Sequence, residues 1–345
     1  MKNDHPGIRR FLRISCLGCL VITLLLGFLV AWLGKQLMSE PGPVEMTAHH
    51  PFRSIKAQER YLERYDMRGG KWPGPSESGL IHTSYGKTFV RINGAEDAPP
   101  LVLLPGANAT SLIWAPNIPD LSASFRTYAV DNVYDFGRSV YSRHVTTPED
   151  FVLWLDELFG GLGLSGDVNL VGLSYGGWIA SQYAISRPDR LAGVVLVAPA
   201  ATVLDFNPDF LMRAVLCLIP HRYFVKDLMY WMLEDAVKDD AMRRIVDALA
   251  EDNYLGMRCF EPKRMVNPTV LSDEQLQDLE VPTLFLVGEN EKIYPAHAAI
   301  QRLNEVAPDI EAVMIPDAGH DLTLVQAELV DNTILEFLGK DRDAH

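Results

Sequence analysis

Cysteine is scarce, with four in 345 residues. Cys16 and Cys19 fall in an apolar run near the N-terminus, leaving Cys217 and Cys259 for the rest of the chain. Those two could pair in an oxidising compartment, but two cysteines do not make a disulfide framework. Metal-ligand spacings of Cys, His, Asp and Glu are missing. So are a phosphate-binding G-x-x-x-x-G-K-S/T loop and a dinucleotide-binding G-x-G-x-x-G loop in the right context, and neither metal nor cofactor is expected. Positive charge is short as well: 31 Lys and Arg stand against 45 Asp and Glu, a net charge of −14. With no basic cluster to contradict it, that balance argues against nucleic acid as a partner. Charged residues at 22% and hydrophobic residues at 48% are ordinary for a globular chain. The length suits one large α/β domain with an insertion and an extra terminal segment.

One long apolar run breaks this pattern. Ile14 to Leu33 carries no charge, and at ~1.5 Å per residue it would span the ~30 Å hydrocarbon layer. Lys2, Arg9, Arg10 and Arg13 precede it, and Lys35 is the only positive residue after it before Arg53. This asymmetry makes residues 1–13 a short cytoplasmic segment and 14–33 a signal anchor. It sets the remainder on the extracytoplasmic side of the cell membrane. The alternative is secretion after signal cleavage, although a cleaved signal peptide has a shorter core and an A-x-A-like site, and neither is clear. Arg9-Arg10 lacks twin-arginine spacing, and Cys19 lies too far inside the run for lipidation.

Residues 34–78 read as a linker with a short helix. Ser39-Glu-Pro-Gly-Pro43 stops the apolar segment, Arg53 to Tyr65 has helical character, and Gly69 to Gly79 is rich in turn residues. Residues 79–345 form the main domain. Gly79 to Gly94 suggests an opening hairpin turning near Tyr85-Gly86-Lys87. Strand and helix patterns then alternate, as in a mostly parallel sheet covered on both faces. Thr147-Pro148-Glu149-Asp150 offers an N-cap, a first-turn proline and early acids. The helix it starts would turn Phe151, Val152, Leu155, Leu158 and Phe159 toward the sheet. Leu191 to Ala200 is a further strand. The stretch from about 201 to 278 then lacks clear strands and reads as a helical insertion over the sheet edge. It carries Phe206, Phe210, Met212, Tyr223, Phe224, Met229, Tyr230, Trp231 and Met232, either as an apolar pocket or as packing of the inserted helices.

The richest stretch is Val168 to Gly177. An apolar strand pattern runs into Gly172-Leu173-Ser174-Tyr175-Gly176, which fits G-x-S-x-G, and a helix pattern follows over Trp178 to Ser186. In a nucleophile elbow the serine sits on a strained strand-to-helix turn, where bulky residues two positions to either side would collide. The hydroxyl needs a base to become a nucleophile. Two later strand patterns supply partners. Pro282 to Gly288 is followed by Glu289-Asn290-Glu291, and Ala312 to Pro316 by Asp317-Ala318-Gly319-His320-Asp321. Each partner lies just past a strand end, and parallel strands gather their C-terminal ends along one edge.

The order Ser, acid, His, with this loop placement, resembles the α/β-hydrolase family over roughly residues 80 to 340. The resemblance implies an α/β-hydrolase fold with a helical cap over 201–278, added to the single N-terminal transmembrane helix. It makes Ser174 the nucleophile, His320 the base and Glu291 the acid. Family members usually carry Asp at the acid position, and Glu289 is the rival there. His297, His49, His50 and His345 fall outside the base position. The loop Pro105-Gly106-Ala107-Asn108 follows the strand Leu101 to Leu104 and matches the oxyanion loop, although the family usually has His-Gly where Pro105-Gly106 stands. The backbone N–H groups of Ala107 and Tyr175 would then hold the oxyanion, and Asp131 to Ser139 matches the loop after strand 4. The implied activity is hydrolysis of a small-molecule ester or related acyl compound through an acyl-enzyme. Thioesterase, lactonase, amidase, C–C hydrolase or acyltransferase chemistry would use the same residues, and a non-catalytic membrane-tethered binder is a rival of another class. Epoxide hydrolases and haloalkane dehalogenases carry Asp at the elbow, so Ser174 counts against them.

Overall fold

The computed structural model describes residues 42–219 and 221–340. The proposed membrane anchor over 14–33 lies outside them, and among the described residues no helix is long and apolar enough to cross a membrane. The described residues from Val44 onward form one compact unit. The part of the expected linker from Val44 to Ser78 thus belongs to the main domain.

A nine-stranded sheet organises that unit. Its strands are β1 (Glu77–Thr83), β2 (Gly86–Asn93), β3 (Pro100–Leu104), β4 (Arg126–Val130), β5 (Val140–Tyr141), β6 (Val168–Leu173), β7 (Leu191–Val197), β8 (Thr283–Gly288) and β9 (Glu311–Ile315). The order is β1-β2-β4-β3-β6-β7-β8-β9, with β5 paired to β2. The β1–β2 hairpin and the β2–β4 pair are antiparallel, and every pair from β4 to β9 is parallel. Because both faces of the parallel part are covered, β6 and β8 are buried at every position, and β7 at all but one. These strands therefore read as mostly apolar runs, broken in β6 only by Asn169, rather than alternating ones.

The helices are α1 (Ile55–Gly69), α2 (Ile118–Ser124), α3 (Pro148–Gly161), α4 (Tyr175–Ser186), α5 (Pro208–Leu216), α6 (Arg222–Met232), α7 (Asp240–Cys259), α8 (Asp273–Gln277), α9 (Ala296–Val306), α10 (Leu322–Val325) and α11 (Ala327–Lys340). Helix α3 begins with a complete capping box: Thr147 Oγ1 accepts from Asp150 N, and the Asp150 carboxylate accepts from Thr147 N. Phe151, Val152, Leu155, Leu158 and Phe159 are buried, and so is Trp154, whose indole N–H donates to Thr88. Helices α5 to α7 lie between β7 and β8, in the stretch where the sequence offered no strands.

Helix α1 is fastened by an aromatic cluster. Phe52 and Tyr61 pack on Phe260, just past the end of α7, at ring separations of 4.4 and 4.8 Å, and Phe136 lies 5.0 Å from the same ring. Truncating such a buried ring to alanine costs about 3–5 kcal/mol. This packing places one face of α1 beside the C-terminal edge of the sheet. The two thiols expected to be able to pair are both free, Cys259 buried and Cys217 half-buried.

Candidate active site

The turn between β6 and α4 carries Ser174 at φ 53° and ψ −114°, a conformation that costs about 1–3 kcal/mol for a residue with a side chain. Three backbone bonds hold it: Ser174 N–H donates to Val197 O, while Ser174 O accepts from Trp178 and Ala200. The flanking glycines are sterically required. A Cβ on Gly172 would stand 2.2 Å from Gly176 O, and one on Gly176 would stand 2.6 Å from Leu104 O and Pro105 O. This crowding is the physical content of the G-x-S-x-G spacing.

Past β8 and β9, two loops are zipped together. Glu289 N–H donates to Ile315 O and Asn290 N–H to Ala318 O. Gly288 makes the approach possible, since a Cβ there would lie 2.3 Å from the carbonyl oxygens of Ala318 and Gly319. The zipper brings His320 Nδ1 to 2.8 Å from Glu291 Oε2, with both side chains buried. The other carboxylate oxygen, Oε1, accepts from Lys292 N–H and Ile293 N–H at 2.8 and 2.9 Å, which fixes the orientation of Glu291. Burial alone would push the His320 imidazole down. The Glu291 charge, the hydrogen bond to it and the Asp321 charge together lift it above its ordinary value. Glu289 is exposed and, among the described residues, accepts only from Asp317 N–H, at 3.5 Å. His297 is exposed, and His50 is bonded to Tyr141 O.

Ser174 and His320 line one cavity of about 210 Å³, together with Gly106, Ala107 and Asn108 of the loop after β3. Gly106 is so close that a Cβ on it would lie 3.3 Å from Ser174 Cβ. Among the described residues, the N–H groups of Ala107 and Tyr175 have no hydrogen-bond partner. The Tyr175 N–H begins α4, where the first turn leaves amide groups free. Its phenol turns away and donates to Val266 O.

Two carboxylates in the loop after β4 hold the chain from Asn108 to Ser111, and sequence reasoning assigned them no task. Asp135 accepts from Asn108 N–H at 2.8 Å, and Asp131 accepts from Ser111 N–H, Arg138 N–H and the Tyr65 hydroxyl, each at 2.8 Å. Both are fully buried, and burial raises both above the usual carboxylate range despite these donors. Lys263 Nζ lies 4.0 Å from Asp135 Oδ1. The cavity that Ser174 lines is largely apolar, with Phe210 of α5, Met229 and Met232 of α6, and Leu249 and Leu255 of α7. Of the aromatic and Met side chains weighed as pocket residues, Phe210, Met229 and Met232 line the cavity, whereas Met212 and Tyr223 are exposed. The wall also carries charged side chains, Arg64 and Arg68 of α1, Asp252 of α7 and Asp321.

A mostly parallel sheet, a serine on a strained strand-to-helix elbow, and a histidine–carboxylate pair beyond the last strands together define an α/β-hydrolase. The chain belongs to the alpha/beta hydrolase family, whose model matches residues 101–332. Among its relatives, the "uncharacterized carboxylesterase nap" of Bacillus subtilis is 34% identical over 82% of this chain and 93% of that protein. Carboxylesterase YbfK of the same organism is 32% identical over 83% of this chain and 96% of its own length. The crystal structure of naproxen esterase from Bacillus subtilis superposes with a TM-score of 0.75 at 33% identity, over 85% of this chain and 99% of that one.

Proposed function

We propose that the protein is a carboxylesterase that cleaves a small-molecule ester through an acyl-enzyme at Ser174. The observation that carries this reading is the buried Glu291–His320 pair, which opens onto the same cavity as the strained Ser174. His320 takes the proton from Ser174 as the hydroxyl attacks the ester carbonyl. Glu291 keeps Nδ1 protonated, so Nε2 is the basic nitrogen, and its charge offsets that of the imidazolium formed. The N–H groups of Ala107 and Tyr175 receive the oxyanion, each such donor being worth about 10²–10³-fold in rate. His320 then returns its proton to the leaving alcohol and activates the water that releases the acid. The two Bacillus subtilis carboxylesterases support an ester bond as the target.

The apolar run over 14–33, outside the described residues, supports a tether that holds the enzyme on the extracytoplasmic face of the cell membrane. Carbonate extraction of membranes and protease accessibility in spheroplasts test it. For the chemistry, residues 44–345 should label with a fluorophosphonate probe and release 4-nitrophenol from short-chain 4-nitrophenyl esters, and Ser174→Ala should do neither. Equal labelling of both proteins would overturn the assignment.

A further inference from the structure

The cavity that holds Ser174 has one charged wall. Arg64 and Arg68, one turn apart on α1, both reach the Asp252 carboxylate, Arg64 through Nε to Oδ1 and Arg68 through Nη1 to Oδ2. A second Arg64 nitrogen donates to Ala248 O at 3.0 Å. Arg64 Nη1 and two nitrogens of Arg68 have no partner among the described residues, and both side chains keep about a fifth to a quarter of their surface open. Two guanidinium groups on one carboxylate leave an excess positive charge. The other carboxylate lining the cavity, Asp321, is held by Ala236 N–H and Gly319 N–H next to His320, and its charge acts on that imidazole.

This wall is close to the reacting serine. Asn253, the neighbour of Asp252, donates to Asn108 O, and Asn108 is two residues from Gly106, which abuts Ser174. Hydrogen bonds and short stretches of backbone therefore link the arginines to the nucleophile, and all of these residues line the same cavity. Much of the remainder of the wall is apolar, including Leu112, Leu228 and Leu324. A cavity with an apolar body and one cationic corner fits an ester that carries an anion, and a partly desolvated Arg–carboxylate contact is a strong, directional one.

Resting on the carboxylesterase reading, we infer that Arg64 and Arg68 form a subsite for an anionic group on the substrate, so that the preferred ester carries a carboxylate away from the scissile bond. The test compares monomethyl esters of straight-chain dicarboxylic acids with their ω-carboxamide analogues, which match them in size and lack the charge. The wild-type protein should turn over the best carboxylate ester with a kcat/KM about tenfold or more above its carboxamide twin. Arg64→Gln and Arg68→Gln should erase that ratio, and Asp252→Asn, which removes the internal counter-ion, should widen it. Calorimetric binding of the same pair to Ser174→Ala reads the subsite without turnover, so a failure of the esterase reading remains separable from a failure of this one. Equal binding of the two compounds to Ser174→Ala, or a carboxylate preference that survives both arginine substitutions, overturns the subsite. So does an equal loss on both compounds together with a lower Tm, which would make the arginines only a clasp between α1 and α7.

Discussion

His320 and Glu291 are joined by a 2.8 Å hydrogen bond between two buried side chains, made possible by Gly288, whose lack of a side chain lets the two loops approach. The imidazole must be neutral to accept the serine proton, and its raised proton affinity sets the acid limit of activity. The kcat/KM of the wild type should therefore fall as pH drops through a value above the ordinary ~6.5 of histidine. In Glu291→Gln the attraction is gone and burial dominates, so the acid limb should move to lower pH while the plateau falls about 10³–10⁴-fold. A plateau within tenfold of wild type would remove Glu291 from the proposed mechanism.

Gly288 and Gly172 should tolerate substitution far less well than Ser174. An alanine Cβ would lie 2.3 Å from two carbonyl oxygens at Gly288 and 2.2 Å from one at Gly172, and backbone atoms on both sides leave no side chain to yield. Gly288→Ala and Gly172→Ala should each cost about 3 kcal/mol or more, or abolish soluble expression. Ser174→Ala, which changes a side chain facing the cavity, should melt within a few degrees of wild type. Thermal denaturation followed by circular dichroism separates the two outcomes. A Gly288→Ala protein as stable as wild type would contradict the close approach of the two loops.

Ser174, Glu291 and His320 were legible in the sequence because each follows an apolar strand pattern and is marked by glycine, so one topological rule predicts their convergence. Gly288 was legible as a strand end, but its role was not, since close approach between two loops is a property of tertiary packing. The arginines of α1 were hidden for a different reason. Residues 34–78 lack the strand–helix alternation that marks the core, and a helix preceding the sheet gives no sign of which face it will meet. Its contact with α7 depends on Phe52, Tyr61 and Phe260, residues separated by most of the chain. Within the cap, the apolar period identified helices but did not separate cavity side chains such as Met229 from exposed ones such as Met212.

The Asp135–Lys263 pair should act on catalysis through the position of the oxyanion loop. Lys263 Nζ has no hydrogen bond among the described residues, and lies 5.3 to 5.6 Å from the ring centres of Tyr134, Phe136 and Phe260. Burial pushes it down to about 8, against the pull of Asp135. As pH rises through that value, Asp135 loses its counter-charge while it holds Asn108 N–H, and kcat should decline with little change in KM. The decline should be absent from Lys263→Met. Asp135→Ala would strand the buried ammonium and cost about 3–5 kcal/mol. The double variant Asp135→Asn/Lys263→Met should recover most of that stability while kcat stays low, because a neutral amide accepts more weakly than a carboxylate. Full recovery of kcat in the double variant would show that the pair serves the core alone.

Asp331 should make the fold less stable at neutral pH than in mild acid. It is fully buried on α11, and Oδ1 accepts from Asn117 Nδ2 at 2.9 Å, while Oδ2 and Asn117 Oδ1 have no partner among the described residues. Burial pushes its carboxyl up to about 7, the Asn117 hydrogen bond opposes this, and the Asp120 charge adds to the rise. Between the ordinary ~3.9 of an unfolded aspartate and about 7, the folded chain holds a proton that the unfolded chain has released. Stability from this group is therefore complete below pH ~4 and is lost as pH climbs to about 7. Asp331→Asn keeps the shape and the bond to Asn117 without the titration. The variant and wild type should melt together at or below pH ~4, and the variant should melt about 5 °C or more higher at pH 8. A difference in Tm that is the same at both pH values would mean that Asp331 is ionised in the native state throughout, with its second oxygen satisfied in some other way.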